Sequence, residues 1–219
     1  MEVNYLQIIK YDQYTPFCLY LALKILYILM KKLFTCLLLG LSLAAGAQTK
    51  DCDYSVITGD DGNETKSTKE ALMYEKVFAG TSQFMFFSLS NNDGVPVLNF
   101  QLLAKGKDFP KVYCLDRASK IYIQLNNGKI VTLISATEDQ CSGLIYDGAE
   151  KNNIRVLSGM FMFTKGSLEE LEKNSISFIR VKYVDEAVDY PVKKELTSES
   201  MGKKYFPEAY FINNLKCIQ

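Results

Sequence analysis

The chain has 219 residues, with 25 basic and 25 acidic side chains, six cysteines, no histidine, no tryptophan and a 48% hydrophobic content. That composition describes a folded chain rather than a disordered one, and its balanced charge gives no long-range pull toward nucleic acid or an anionic membrane. Without histidine, Ser-His-Asp and Cys-His catalysis and every histidine-containing metal site are excluded.

The most specific signal lies between Met30 and Gln48. Met30-Lys31-Lys32 is a positive start, Leu33 to Leu43 is an apolar run of about 11 residues, and Ala45 and Ala47 form an A-x-A cleavage site before Gln48. The run is too short to cross ~30 Å of hydrocarbon. It reads as a secretory signal peptide cleaved between Ala47 and Gln48, which implies a periplasmic or extracellular destination. Residues 1–29 are expected to be an upstream extension, with translation starting at Met30. The alternative is a membrane hairpin of Phe17–Leu29 and Leu33–Ala47, whose legs of about 13–15 residues fall short of the ~20 that a spanning helix needs. Cys36 sits inside the apolar run behind Phe34-Thr35, which does not fit a lipoprotein. The remaining Gln48–Gln219 has 172 residues (219 less 47), with 21 basic and 23 acidic side chains (25 less 4 and 25 less 2). That is the length of a single domain with a substantial core.

Four cysteines stay in the mature chain: Cys52, Cys114, Cys141 and Cys217. An even number in an exported chain points to two disulfides, and four cysteines allow three connectivities. Pairing Cys52 with Cys217 and Cys114 with Cys141 would tie the termini together and staple the centre; buried free thiols are the alternative. The gaps between cysteines all exceed twenty residues, unlike the short paired spacings of a four-cysteine zinc site. There is no CxxC redox motif.

In chain order, Tyr54–Thr58 reads as a short strand, Gly59–Asn63 as a turn within a polar 59–70 loop, and Ala71–Gly80 as either helix or strand. Gln83–Ser90 and Val95–Ala104 are strands joined through Asn91-Asn92-Asp93-Gly94, which supplies the positive-φ residues of a hairpin. Lys120–Ile134 is the clearest hairpin, turning at Asn126-Asn127-Gly128. Gly143–Tyr146 and Ile154–Thr164 form another strand pair. Ser167-Leu168-Glu169-Glu170 has the capping-box form, predicting a short helix to about Lys173. Ser175–Tyr183 and Val188–Val192 are strands around a turn at Asp185-Glu186, and Ser198–Leu215 reads as helical with Pro207 setting a start or a kink. No alternating βαβ pattern occurs. The expectation is a β-rich α+β fold: an antiparallel sheet, curled or folded into a sandwich, covered by the C-terminal helix.

Catalysis would have to rest on carboxylates, and the adjacent acids Asp51/Asp53, Asp60/Asp61, Glu169/Glu170 and Asp185/Glu186 read as solvated turn charges. Asp60–Glu64 lacks the ligand spacing of a calcium loop, and Asn63-Glu64-Thr65 matches the glycosylation sequon. No phosphate-binding glycine loop is present, and the lysine doublets Lys193-Lys194 and Lys203-Lys204 are too sparse for a nucleic-acid patch. The aromatic clusters Phe84, Phe86, Phe87 and Met160–Phe163 read as core-filling strand residues, with a ligand-binding face as the alternative. No catalytic, cofactor-binding or metal-ligating residue stands out.

The Ala45-Gly46-Ala47 leader end, Cys52, the Ile121–Ile134 hairpin, Ser167–Leu171 leading into Ile176–Tyr183, and the closing Tyr210–Cys217 together resemble small uncharacterised exported proteins of Gram-negative bacteria. That resemblance implies a β-rich secreted fold and assigns no functional residue. The expected role is a non-catalytic exported module that binds a protein or small ligand, with no cofactor, no nucleic acid and no stable membrane insertion after cleavage. A hydrolase using paired carboxylates, or a form tethered through residues 1–47, is the alternative.

Overall fold

Apolar side chains recur at every second position along most of the chain beyond Cys52, and that period draws it into strands. A computed structural model describes residues 52–58 and 64–218, together with Lys24 and Tyr27, which are helical. The leader, its cleavage site, the Gly59–Asn63 turn and Asn63 of the sequon lie outside the described residues. Contacts divide the chain into Met1–Lys50 and Asp51–Gln219, and every described strand belongs to the second unit. No helix among the described residues is long and apolar enough to cross a membrane, a statement that leaves strands aside.

The strands are β1 (Tyr54–Thr58), β2 (Glu64–Thr68), β3 (Ala71–Phe78), β4 (Thr81–Asn92), β5 (Val95–Gly106), β6 (Cys114–Leu115), β7 (Lys120–Leu125), β8 (Ile130–Ser135), β9 (Gln140–Cys141), β10 (Gly143–Asp147) and β11 (Asn152–Phe163). Helix α1 (Ser167–Lys173) follows, then β12 (Ile176–Lys182), β13 (Ala187–Pro191), β14 (Leu196–Thr197) and β15 (Lys204–Tyr205). The short helix α2 (Tyr210–Asn214) is flanked by 3₁₀ turns at Pro207–Ala209 and Leu215–Cys217. Eleven strands form one antiparallel sheet in the order β1-β2-β4-β5-β11-β8-β7-β12-β13, with β3 also on β4 and β10 also on β11; β6–β9 and β14–β15 are separate pairs.

The turns behave as their residues dictate. Asp93 and Gly94 take φ of 51° and 87° between β4 and β5, and Asn91 Oδ1 accepts the Gly94 N–H at 2.7 Å. Gly128, with φ 84°, closes the β7–β8 hairpin. Such left-handed positions cost a residue with a Cβ roughly 1–2 kcal/mol.

Two long strands each change partner part-way along one edge. Beyond β5, the free edge of β11 pairs with β10 from Asn152 to Val156 and with β8 from Phe161 to Phe163. The outer edge of β4 likewise pairs with β3 through Phe87 and with β2 at Ser90. Register shifts at Leu72/Tyr74 and at Ile176/Phe178 bend strands β3 and β12 and curl the sheet. Its ends approach one another: the rings of Tyr74 on β3 and Tyr190 on β13 lie 5.1 Å apart, edge to face. The Pro207–Ala209 turn contacts both β3 and β12, and the C-terminal segment fills the interior. The Phe211 ring stands 6.2 Å from Phe87 and 6.3 Å from Phe163.

Both disulfides take the connectivity that ties the termini and staples the centre: Cys52–Cys217 and Cys114–Cys141. The first joins residues 165 apart; closing so long a loop constrains the unfolded chain by about 5 kcal/mol. It is supported by the Tyr54 hydroxyl donating to Cys217 O (2.8 Å) and Asn91 Nδ2 donating to Ile218 O (2.6 Å).

Three expectations change. The expected loop at 59–70 holds strand β2, and the ambiguous 71–80 segment is strand β3. Ser167 is the first helical residue and not a cap: Gly166 is the N-cap, the Ser167 hydroxyl bonds Thr164 Oγ1 at 2.7 Å, and Glu170 pairs with Lys129. The helix expected over Ser198–Leu215 begins only at Pro207. Residues 198–203 instead close the β14–β15 hairpin, with Ser198 N donating to Lys203 O, because Leu196 is buried with Leu72 and Phe84 and Tyr205 packs against that cluster. Tertiary burial outweighs a local helical pattern.

Tyr183 and Tyr190 are both buried, and their hydroxyls bond each other at 2.8 Å. Burial pushes these two phenols, and that of Tyr210, well above the usual tyrosine range. The folded state therefore favours the neutral form. Its contribution is fully present below about pH 10, where unfolded phenols begin to ionise, and is lost as pH rises further. In an ultraviolet titration of phenolate absorbance, these three tyrosines should stay silent until the chain unfolds; complete titration near pH ~10 with the fold intact would contradict this packing.

Candidate functional site

The three long strands β4, β5 and β11 present different chemistry on their two faces. Met85, Phe87 and Leu89, then Leu98, Phe100 and Leu102, then Leu157 and Phe161 point into the main core. The intervening residues form rows on the opposite face, set by the register. Phe86, Gln101 and Ser158 make one row, and Ser88, Asn99 and Met160 the next. These two rows are the floor of a cleft of about 650 Å³.

The walls come from the two places where the edge strands change partner. Glu70 lies in the break between β2 and β3. Ala136, Thr137, Glu138 and Gln140 occupy the corresponding break along β11, between β10 and β8. This loop substitutes for a missing strand. Ala136 N donates to Met160 O (2.8 Å), while the Thr137 hydroxyl donates to Met160 O (3.2 Å) and accepts the Met160 N–H (2.7 Å). Gln140 Nε2 donates to Ser158 O. Backbone groups that would otherwise lack partners are thus satisfied without closing the sheet over the floor.

Two further features pin the wall. The Cys114–Cys141 bridge joins opposed positions of the β6–β9 pair, directly after Gln140. Leu115, the neighbour of Cys114, is fully buried beneath β11 at Gly159. A Cβ on Gly159 would fall 2.5 Å from Leu115 Cδ1 and 3.1 Å from Thr137 Oγ1.

On the floor, Asn99 Nδ2 donates to Ser90 Oγ (3.1 Å) and Ser88 Oγ (3.4 Å), and Ser67 Oγ donates to Ser88 Oγ (3.2 Å). These bonds fix one row. The side chains of Gln101 and Ser158, directly opposite one another, make no hydrogen bond to another described residue. The Phe86 ring is steadied by a stacked contact with Phe84 at 6.3 Å. Glu70 and Glu138 are the charged residues lining the cleft, and among the described residues no lysine or arginine lines it.

A second recess of about 400 Å³ is lined by Tyr122, Gln124, Ile130, Phe178 and Arg180. Arg180 is committed to Asp189 through two bonds of 2.5 and 2.7 Å, which hold the Asp189 carboxyl below its usual range. That pairing leaves the smaller recess without an uncommitted charge.

The acids singled out by adjacency are dispersed. Asp53 pairs with Lys69, Glu170 with Lys129 and Glu186 with Lys111, on separate elements. Asp51, Asp60 and Asp61 lie outside the described residues. Among the described residues no group of three Cys, Asp or Glu side chains is placed to hold a metal ion. Of the aromatic clusters, Phe87 and Phe161 are in the main core and Phe84 is buried in a second apolar cluster against which Phe86 packs, while Phe86 and Met160 line the cleft. The alternation of Asn99 and Gln101 with Leu98, Phe100 and Leu102 was the signal for a polar face.

No protein-family model, curated protein or solved structure matches the chain.

Gly159→Val should cost about 1–3 kcal/mol in urea denaturation, because the added atoms displace Leu115 and Thr137. Ser158→Val, one residue away on the open face, should stay within about 0.5 kcal/mol of the parent. Equal stability of the two variants would show that Leu115 does not depend on the missing Cβ.

Proposed function

We propose that the chain is an exported binding module whose cleft over β4, β5 and β11 takes a small polar ligand, neutral or cationic. Export rests on the leader between Met30 and Ala47, with cleavage before Gln48, and is supported by the two disulfides, which persist in oxidising compartments.

The observation that carries the binding reading is the unpartnered pair Gln101 and Ser158 at the centre of a concave site. Open donors and acceptors at the bottom of a cleft, beside the apolar Phe86 and Met160, are the composition of ligand sites. Charge narrows the class. An anion would meet Glu70 and Glu138 with no cation among the described lining residues, whereas an amide, a hydroxyl or an amine finds partners.

Hydrolysis by paired carboxylates is the second reading, favoured by the presence of two glutamates in one cleft. Glu70 and Glu138 stand on opposite walls, with the three strands of the floor between them. Facing glycosidase carboxylates stand roughly 5–9.5 Å apart, and the backbones of β4 and β11 alone are about 10 Å apart at ~4.8 Å per strand, so both side chains would have to lean inward from their walls to act as a pair. Binding therefore takes precedence.

A fragment screen by nuclear magnetic resonance, with matched neutral, cationic and anionic members, tests the proposal. Neutral and cationic fragments should shift the backbone amides of Gln101, Ser158 and Met160, and Ser158→Trp should abolish those shifts while leaving the fold intact. Hits that map elsewhere, or that come chiefly from the anionic set, would overturn it.

A further inference from the structure

Strand β10 is an edge of the sheet, paired with β11 and with no other described strand. Its central residues Leu144, Ile145 and Tyr146 are 45%, 58% and 63% exposed. An apolar edge of this kind is a ready template for another strand, and proteins ordinarily guard such edges with charge, proline or a bulge. The outer strands β13 and β3 carry these guards. β13 has Asp189 and Pro191, and β3 has Glu75, Lys76 and a register shift between Leu72 and Tyr74. The central residues of β10 include no charge and no proline, and its pairing with β11 is regular from Gly143 to Asp147.

We propose that β10 pairs antiparallel with β10 of a second copy of this chain, about a two-fold axis at Ile145. Three observations favour a second copy over a foreign strand. First, the sequence is self-complementary in that register: Ile145 meets Ile145, Leu144 meets Tyr146, and Gly143 meets Asp147, so apolar side chains coincide on both faces and no like charges are opposed. Second, beyond the strand ends the same symmetry brings the charged Asp147–Glu150 turn against the uncharged Gln140–Gly143 segment. Third, the face shared by Leu144 and Tyr146 carries additional apolar surface. Arg155 and Asn153, their partners across β11, bond Pro110 O (2.9 Å) and Lys107 O (2.8 Å), which brings in the loop bearing exposed Phe109 and Val112. The two-fold places both copies of this loop on one side of the joined sheets, flanking the seam.

Sedimentation equilibrium of the oxidised chain is the test, with Ile145→Lys, Tyr146→Lys and the control Ile130→Lys, which alters an exposed residue of β8. The parent should form a dimer; the two β10 substitutions should weaken association by about tenfold or more, roughly 1.4 kcal/mol, and the control should not. In a mixture of isotope-labelled and unlabelled parent chains, nuclear Overhauser contacts between Ile145 residues of different copies should appear, a readout that requires no variant. A parent that stays monomeric, whether or not it captures an extended foreign peptide along β10, overturns the proposal. So does a dimer that survives both β10 substitutions in folded protein, or that the control disrupts equally.

Discussion

The central constraint on this fold is the partner change along the outer edge of β11. From Asn153 to Met162 that strand is continuously paired with β5 on one side, yet on the other it has β10, then no strand, then β8. Unpaired backbone groups are costly wherever water is excluded, about 1–3 kcal/mol each. The gap is therefore filled from the loop: one threonine hydroxyl serves both the N–H and the carbonyl of Met160, and Gln140 serves Ser158. A loop bonded through side chains stands away from the strand plane where another strand would have continued it. The wall of the cleft follows from that substitution.

The rest of the architecture supports the gap from beneath and from both sides. Leu115 fits under Gly159 because that residue has no side chain, and the adjacent Cys114–Cys141 bridge fixes the end of the loop. The inner face of the same strands is packed by aromatic rings, Phe100 against Phe161 at 5.9 Å and Phe87 against Phe211 at 6.2 Å. Each such contact is worth about 0.5–1.5 kcal/mol beyond its buried area. With the core on that side, the outer face is free to keep polar groups that contribute little to folding. The second break, at Glu70 along β4, supplies the opposite wall. The same edge of β11 also leaves β10 as an unguarded strand.

Much of the fold was legible in the sequence because turns are local chemistry. Asp93-Gly94 and Asn127-Gly128 specify their hairpins by backbone conformation alone, and the period-two patterns around them fix the strands. Both disulfides fell on one of the three connectivities open to four cysteines. What was not legible depended on long-range pairing. Two-residue strands such as β6 and β9 carry no periodic signal, and the β14–β15 hairpin looks helical until Leu196 finds Leu72 and Phe84. The cleft was only half visible. The alternation placing Asn99 and Gln101 opposite Leu98 and Phe100 was present in the sequence, but the register bringing Ser158 beside Gln101 was not. No local property of Thr137 marks it as a surrogate strand.

Amide hydrogen exchange on Thr137→Val tests this account most directly, since valine keeps the shape and removes the hydroxyl that holds Met160. The Met160 amide should lose protection by about tenfold or more, corresponding to at least ~1.4 kcal/mol of local stability, while Leu98, Phe100 and Leu102 on the core side retain theirs. Unchanged protection at Met160 in the folded variant would contradict the claim that this side chain completes the sheet and builds the cleft.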